Sequence, residues 1–268
     1  MERRNPVEYL SQKFSTSQLL ADLRFAAGPK PGEAMPDFDL ETVSGERVRK
    51  SDYVGTRPML LVMGSYTCPM TSAAGPVLKS LHEEFGRDIG FLMLYTREAH
   101  PGELYPQPTT LGQKTEHARQ YGERDGITYP IAIDDIDGTL HRALDLKSNA
   151  VYLMGVDGTV AYRAIWAGGS GGSLRRALRA VLQGRRLRQS QAHGVAMLRG
   201  LGSTYEILNL AGRQAKLDTL RGAPPMYLMA SVARIFRPLP PLGRGLAALA
   251  TIMLPVVVLI GIAAQAIA

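Results

Sequence analysis

The sequence predicts an α/β fold with a mixed central sheet flanked by helices, and three observations carry that expectation. Two apolar runs of strand length, "PMLLVMGS" and "IGFLMLYT", bracket "SAAGPVLKSLHEEF", whose apolar spacing is helical. Continuous apolar runs in a β-α-β order are what strands buried on both faces look like. Further on, "AVYLMGVDGTVAYRAIW" holds two strands around Asp157-Gly158, a hairpin signal, and "GGSLRRALRAVLQ" closes with a helix.

The other elements fit around this frame. Ahead of it, "DFDL" and "ERVRKSDY" flank the turn Ser44-Gly45 as an N-terminal hairpin. After the second long strand comes a Pro-rich loop from Pro101 to Pro108, then a short helix in "QKTEHARQYGE" and a strand in "ITYPIAIDD". A central sheet that ends in an antiparallel hairpin plus a last helix is the layout of a thioredoxin-like fold. The expected division is an N-terminal extension over 1–30, the thioredoxin-like domain over 31–183, a basic juxtamembrane arm over 184–245 and a C-terminal transmembrane anchor over 246–268.

Charge and hydropathy set that arm apart. The chain has a formal net charge of +7, yet Arg185 to Gly245 alone carries a net of +8, so the excess belongs to the arm. "LAALATIMLPVVVLIGIAAQAIA", Leu246 to Ala268, has no charged residue. As a helix it would be roughly 34 Å long against a hydrocarbon core of about 30 Å. It reads as a single-pass membrane span, with Arg234, Arg237 and Arg244 placing the main domain on the cytoplasmic side. The arm's cations suit an anionic lipid surface, and without interleaved stacking aromatics they do not suit nucleic acid. "MERRNPVEYLSQKF" lacks the apolar core of a signal peptide.

Cys68 is the only cysteine, which rules out an intrachain disulfide. It falls where the strand "LLVMGS" hands over to a helix, with Pro69 at a helix position where a missing N–H costs nothing. Unpaired backbone N–H groups and the positive end of the helix dipole favour a thiolate there, so a lowered thiol pKa is expected. A thiolate so placed would attack a soft electrophile such as an organic halide, a peroxide or a disulfide. With one cysteine per chain, regeneration falls to a small thiol, a thioredoxin-like partner or Cys68 of a second subunit in a homodimer. His100 and His117 are candidate proton carriers, Glu98 a candidate to orient an imidazole, and the Ser65 and Thr67 hydroxyls candidate partners of the thiolate. His82, His141 and His193 read as surface residues.

"GSYTCP", then "YTREAH" after the next strand, then His117 in "QKTEHARQY", resembles the iodothyronine deiodinases over roughly Pro31 to Gln183. In that family a Gly-Ser-Cys-Thr run precedes a selenocysteine-proline pair, Glu-Ala-His follows the next strand, and a further His comes later. The resemblance implies a thioredoxin-fold oxidoreductase that removes iodide from an iodinated phenol, with Cys68 in the selenocysteine's place, Glu98, His100 and His117 in catalytic positions, and Ser65, Tyr66 and Thr67 supporting the thiolate or substrate. Tyr66 stands where the family has a nearby cysteine, so no internal thiol can resolve an oxidised Cys68.

Two other readings compete. A one-Cys peroxiredoxin shares the strand-to-helix cysteine, but Leu61 and Ser65 stand where that family has Pro and Thr, and Ser148-Asn149-Ala150 supplies no Arg. A non-catalytic thioredoxin-fold module tethered at a membrane is the alternative from outside enzymology. No bound cofactor is expected and no metal site, since the histidines are scattered and Asp134 to Gly138 lacks the later Glu of a calcium loop.

Overall fold

The computed structural model describes residues 9–167, 171–185, 187 and 194–267, with side chains described through Leu254. Helix α1 (Thr16–Ala21) opens the described chain, and its first turn is closed by a capping box between Ser15 and Gln18. The predicted N-terminal hairpin is present as β1 (Asp39–Glu41) paired antiparallel with β2 (Arg47–Arg49).

The central sheet contains β3 (Met59–Gly64), β4 (Gly90–Tyr95), β5 (Ile131–Ile133), β6 (Ala150–Met154) and β7 (Val160–Ile165), in the order β5-β4-β3-β6-β7. β3 runs parallel to β4 in a register from Met59 opposite Gly90 to Gly64 opposite Tyr95, while β6 and β7 form the antiparallel hairpin. Every residue of β3 and β4 is buried, as the continuous apolar runs require. The pleat sorts β3 between two cores. Leu60 and Val62 join Leu78 and Leu81 of α2 (Pro69–Phe85), Tyr121 of α3 (Leu111–Asp125) and Leu178 of α5 (Gly171–Leu182). Met59, Leu61 and Met63 face the opposite core, with Phe38 and with Leu140 of the short helix α4 (Thr139–Ala143). The strand expected in "ITYPIAIDD" shrinks to three residues at the sheet edge, and α4 was not foreseen. The mixed strand order with helices on both faces is thioredoxin-like.

Beyond the sheet, α6 (Gly194–Ala211), α7 (Arg213–Gly222), α8 (Pro224–Ala233) and α9 (Pro241–Ile267) fold back on the domain. The expected transmembrane anchor is not supported. Among the described residues no helix is long and apolar enough to cross a membrane. The stretch from Pro255 to Ala268 lies outside the described side chains. The start of α9 is instead a packed element against α6. A Cβ on Gly202 would lie 1.9 Å from the Pro241 carbonyl oxygen, and one on Gly245 2.0 Å from that of Leu198, so the two backbones touch through glycine. The arginines that suggested lipid contact have protein partners. Arg244 bonds Glu206 at 2.8 Å and the carbonyls of Leu239 and Arg237, and Arg234 donates to Tyr205 Oη at 2.8 Å. The single-pass anchor and the cytoplasmic orientation drawn from it fall together.

Candidate functional site

Cys68 is the N-cap residue of α2, with φ −94° and ψ 112°, and Pro69 takes the first helical position. Helix and strand meet so closely that a Cβ on Gly64 would lie 2.5 Å from two side-chain atoms of Thr71, which only a glycine permits. The strand's end is pinned from the hairpin side, where Asn149 Nδ2 donates to the Met63 carbonyl at 2.9 Å and Asn149 Oδ1 accepts from Ala167 N–H at 2.8 Å.

The loop before the thiol is held by a carboxylate. Glu98 is 1% exposed, and its Oε2 accepts from Thr67 N–H at 2.9 Å and Thr67 Oγ1 at 2.6 Å, while Oε1 accepts from Tyr95 Oη and pairs with His117 Nδ1 at 3.3 Å. Tyr95 Oη also accepts the Tyr66 N–H at 3.0 Å, and Thr67 Oγ1 accepts the His100 N–H at 3.1 Å. Glu98 therefore ties the loop around Cys68 to the loop after β4, and the imidazole it orients is that of His117. Tyr66 stacks on Tyr105 at 3.9 Å with the Arg124 guanidinium over its ring, and His117 packs against Tyr105.

His100 takes a different place. Its Nδ1 bonds Thr219 Oγ1 of α7 at 3.1 Å, its ring stacks on Phe14 at 4.2 Å, and burial pulls its pKa down to about 3, so the imidazole is neutral. Ser65 and Thr67 were expected at the thiolate, but Ser65 Oγ accepts the Ala99 N–H and Thr67 belongs to the Glu98 network. The groups that favour the Cys68 thiolate are the Thr71 N–H and hydroxyl and the Ser148 hydroxyl. They do not prevail. Cys68 is 1% exposed, and burial, reinforced by the charge of Asp22, pushes its pKa up. The expected lowering by the helix terminus is overturned because desolvation of the thiolate outweighs it.

That burial comes from a roof made of both outer segments. The N-terminal segment contributes Phe14, Leu19 and Leu23, and the arm contributes Met197, Leu201, Met226 and Met229. Under the roof lies a cavity of about 320 Å³, walled also by Cys68, Met70, Arg97, His100, Ser148 and Trp166. Trp166 has φ +60°, a left-handed conformation that costs a non-glycine residue on the order of 1–3 kcal/mol and that sits at functional sites more often than elsewhere. Glu98 and His117 do not line this cavity. His141, expected at the surface, is buried between Tyr9 Oη and the Lys147 carbonyl, His82 is partly exposed beside Thr128, and His193 lies outside the described residues.

Sequence reasoning missed Asp22 and Ser148. Asp22 caps the C-terminus of α1 and accepts from Ser148 N–H at 3.0 Å and from its hydroxyl, so the residue facing Sγ is itself tied to a buried carboxyl whose pKa burial raises. Nothing local marks Asp22, since its partner is over a hundred positions away. Among the described residues no cluster of His, Cys, Asp and Glu could hold a metal ion.

The model of the iodothyronine deiodinase family matches residues 8–120, which contain the thiol, the Glu98 network and both histidines. Over that stretch the chain resembles the iodothyronine deiodinases. Two curated relatives, the thyroxine 5-deiodinases of Rattus norvegicus and Mus musculus, are each 35% identical to it over 78 residues, which is 25% of this chain and 26% of the relative. The chain thus spans about a quarter of the length of the curated relatives it matches. Among solved structures, a thioredoxin-family thiol:disulfide interchange protein from Chlorobium tepidum covers 59% of this chain and 99% of its own at 16% identity and TM-score 0.43. A secreted Mycobacterium tuberculosis disulfide oxidoreductase covers 53% and 95% at 18% identity and TM-score 0.43.

Proposed function

We propose that this deiodinase-like redoxin is a thiol-dependent reductase of soft electrophiles, with an iodinated phenol or related organic halide as substrate and Cys68 as its nucleophile. The observation that carries the reading is the lone thiol at the strand-to-helix junction, facing a mostly apolar cavity that also holds a neutral imidazole. In the forward step the Cys68 thiolate takes the halogen, the electron pair of the carbon–halogen bond stays on carbon, and carbon takes a proton. This leaves a sulfenyl halide on Cys68. One external thiol displaces halide to give a mixed disulfide and hydrogen halide, and a second releases the oxidised disulfide and restores the Cys68 thiol.

His100 is the proposed proton-handling group at the cavity wall. In the tautomer whose Nδ1 accepts from Thr219 Oγ1, Nε2 carries the proton. Glu98 and His117 are proposed positioning residues, acting on the 64–67 loop and through it on Cys68. Because Cys68 lies under the roof, a small thiol is favoured as reductant over Cys68 of a second subunit. No bound cofactor is invoked.

A second reading, a non-catalytic redoxin module, is favoured by the raised pKa of Cys68, which keeps the thiol protonated near neutrality. One experiment separates them. Purified protein is incubated with an iodinated phenol, hydrogen peroxide and a small disulfide in separate assays, each with a thiol reductant, alongside Cys68→Ser. Halide release that vanishes in Cys68→Ser supports the proposal, peroxide turnover alone moves the assignment to a peroxidase, and no turnover of any substrate supports the non-catalytic module.

A further inference from the structure

The two sides of the roof over Cys68 are held with unequal firmness. On the arm side, α6 is buried from Gly200 to Thr204 and again at Ile207 and Leu208, and it meets α9 backbone to backbone. On the other side, α1 has no buried residue, and Leu20 is 59% exposed. This helix is also a partition. Gln18, Leu20 and Asp22 line both the Cys68 cavity and a polar cavity of about 830 Å³, which Ser15, Ser17 and Ala21 line as well. The helix therefore has space on two sides, while its flanks are fixed. Upstream, Tyr9 Oη bonds His141 Nδ1 at 3.1 Å and Phe14 stacks on His100. Downstream, Ala26 N–H donates to Asp145 Oδ2 at 2.7 Å, and Arg163 Nη1 donates to the Ala27 and Gly28 carbonyls at 2.8 and 3.0 Å. Between these points the ties are polar. Asp22 accepts from the Ser148 N–H and hydroxyl, the Ala21 carbonyl accepts from Lys147 Nζ at 2.7 Å, and the Thr16 hydroxyl donates to the Gly222 carbonyl.

Segments with little buried surface and polar ties open first, and active-site lids are drawn from them. We propose that the span from Thr16 to Leu23 is the gate of the thiol's cavity, swinging between its fixed flanks toward the polar cavity, with the Asp22–Ser148 pair as its latch. The arm stays in place as the fixed half of the roof. Opening does more than admit a guest. It brings water to Cys68 and withdraws the Asp22 charge, the two influences that oppose the thiolate in the closed form, and it leaves the Ser148 hydroxyl to the sulfur alone. Access and activation of the thiol are thus one motion. The purpose of the gate rests on the reaction proposed for that cavity, whereas the motion itself does not.

The full chain is alkylated at one fixed pH by N-methylmaleimide and by the bulkier N-pyrenylmaleimide, both uncharged, and each rate is divided by that for free cysteine. The ratio of the bulky to the small reagent cancels the thiolate fraction and reads passage alone. In the unaltered chain it should lie at least about tenfold below one. Asp22→Ala, which removes both acceptors of the latch, should raise it about tenfold, and Ser148→Ala, which keeps the backbone donor, should raise it by less. Hydrogen exchange on the unaltered chain is the second measurement and needs no variant to fold. The hydrogen-bonded amides of Leu19, Asp22 and Leu23 should exchange at least about tenfold faster than those of Ser203 to Leu208 in α6. A ratio near one in the unaltered chain, a ratio that Asp22→Ala leaves unchanged, or exchange as slow in Leu19 to Leu23 as in α6 each overturns the proposal. Alkylation needs only the thiol, so a failure of every turnover assay would leave this result standing, and the reverse.

Discussion

Removing the Glu98 carboxylate tests whether the network beneath the thiol is what holds its loop. The side chain accepts from Thr67 N–H, Thr67 Oγ1 and Tyr95 Oη and pairs with His117, all inside the protein. Glu98→Ala strips the acceptor from the three donors and leaves His117 unpaired. A buried donor left unsatisfied costs about 1–3 kcal/mol, so the loss of three should be about 3–9 kcal/mol before the site relaxes. Glu98→Gln keeps one carbonyl oxygen and turns the other position into a donor. The Thr67 N–H cannot reorient, so the oxygen stays with Thr67, and the amide must face Tyr95 and His117. The His117 ring can change tautomer to accept, but the Tyr95 hydroxyl, which donated to Glu98, faces a donor in its place. About one unsatisfied contact remains, a loss of about 1–3 kcal/mol. Urea denaturation of the three proteins, followed by circular dichroism, gives both numbers. A Glu98→Ala loss below about 1 kcal/mol, or equal losses for Ala and Gln, would refute the argument that four converging contacts on a buried carboxylate position the loop.

Other consequences are equally direct. The rate of Cys68 alkylation by a small uncharged reagent should reach half its maximum at a pH above the ordinary thiol value of about 8.5, and higher still in Ser148→Ala; a midpoint below it would mean that the helix terminus wins over burial. His100 is neutral in the folded chain, with a pKa lowered to about 3 against about 6.5 when unfolded, so the stability tied to it is complete above about pH 6.5 and is lost as pH falls toward 3. His100→Gln should flatten the fall of Tm over that window by part of the whole, since His141 is also buried with a lowered pKa and remains; an unchanged slope would refute it. Gly202→Ala should destabilise the roof by about 1–3 kcal/mol, because the new methyl meets backbone and no flexible side chain can yield. Hydrogen exchange should show faster opening of α6 and α9 with the sheet unaffected, and unaltered exchange would mean the two helices do not cross there.

The sheet was legible because its signals are local. Met59 to Gly64 and Gly90 to Tyr95 are apolar at every position, which only a strand covered on both faces tolerates, and Asp157-Gly158 marks its hairpin directly. The position of Cys68 at the start of α2 was legible for the same reason, since Pro69 punctuates the change from strand to helix. The pKa of the thiol was not legible. A helix terminus is visible in the sequence, but the roof that desolvates Cys68 comes from Phe14 on one side and Met226 on the other, and no pattern near Cys68 announces them. The same distance hid the partner of Asp22 at Ser148 and that of His100 at Thr219. The apolar run after Gly245 misled because length and lack of charge also describe a helix whose first turns pack on another helix through glycine.

Five sulfur atoms share one chamber: the Cys68 thiol and the thioethers of Met70, Met197, Met226 and Met229. An oxidant entering it meets soft, polarizable atoms on several walls, and a thioether turned to sulfoxide becomes a polar, chiral group in an apolar lining. The first effect of oxidative wear is therefore on what the chamber can hold. Affinity for an apolar guest fades while the sheet beneath remains intact, and repair by a sulfoxide reductase restores it without refolding.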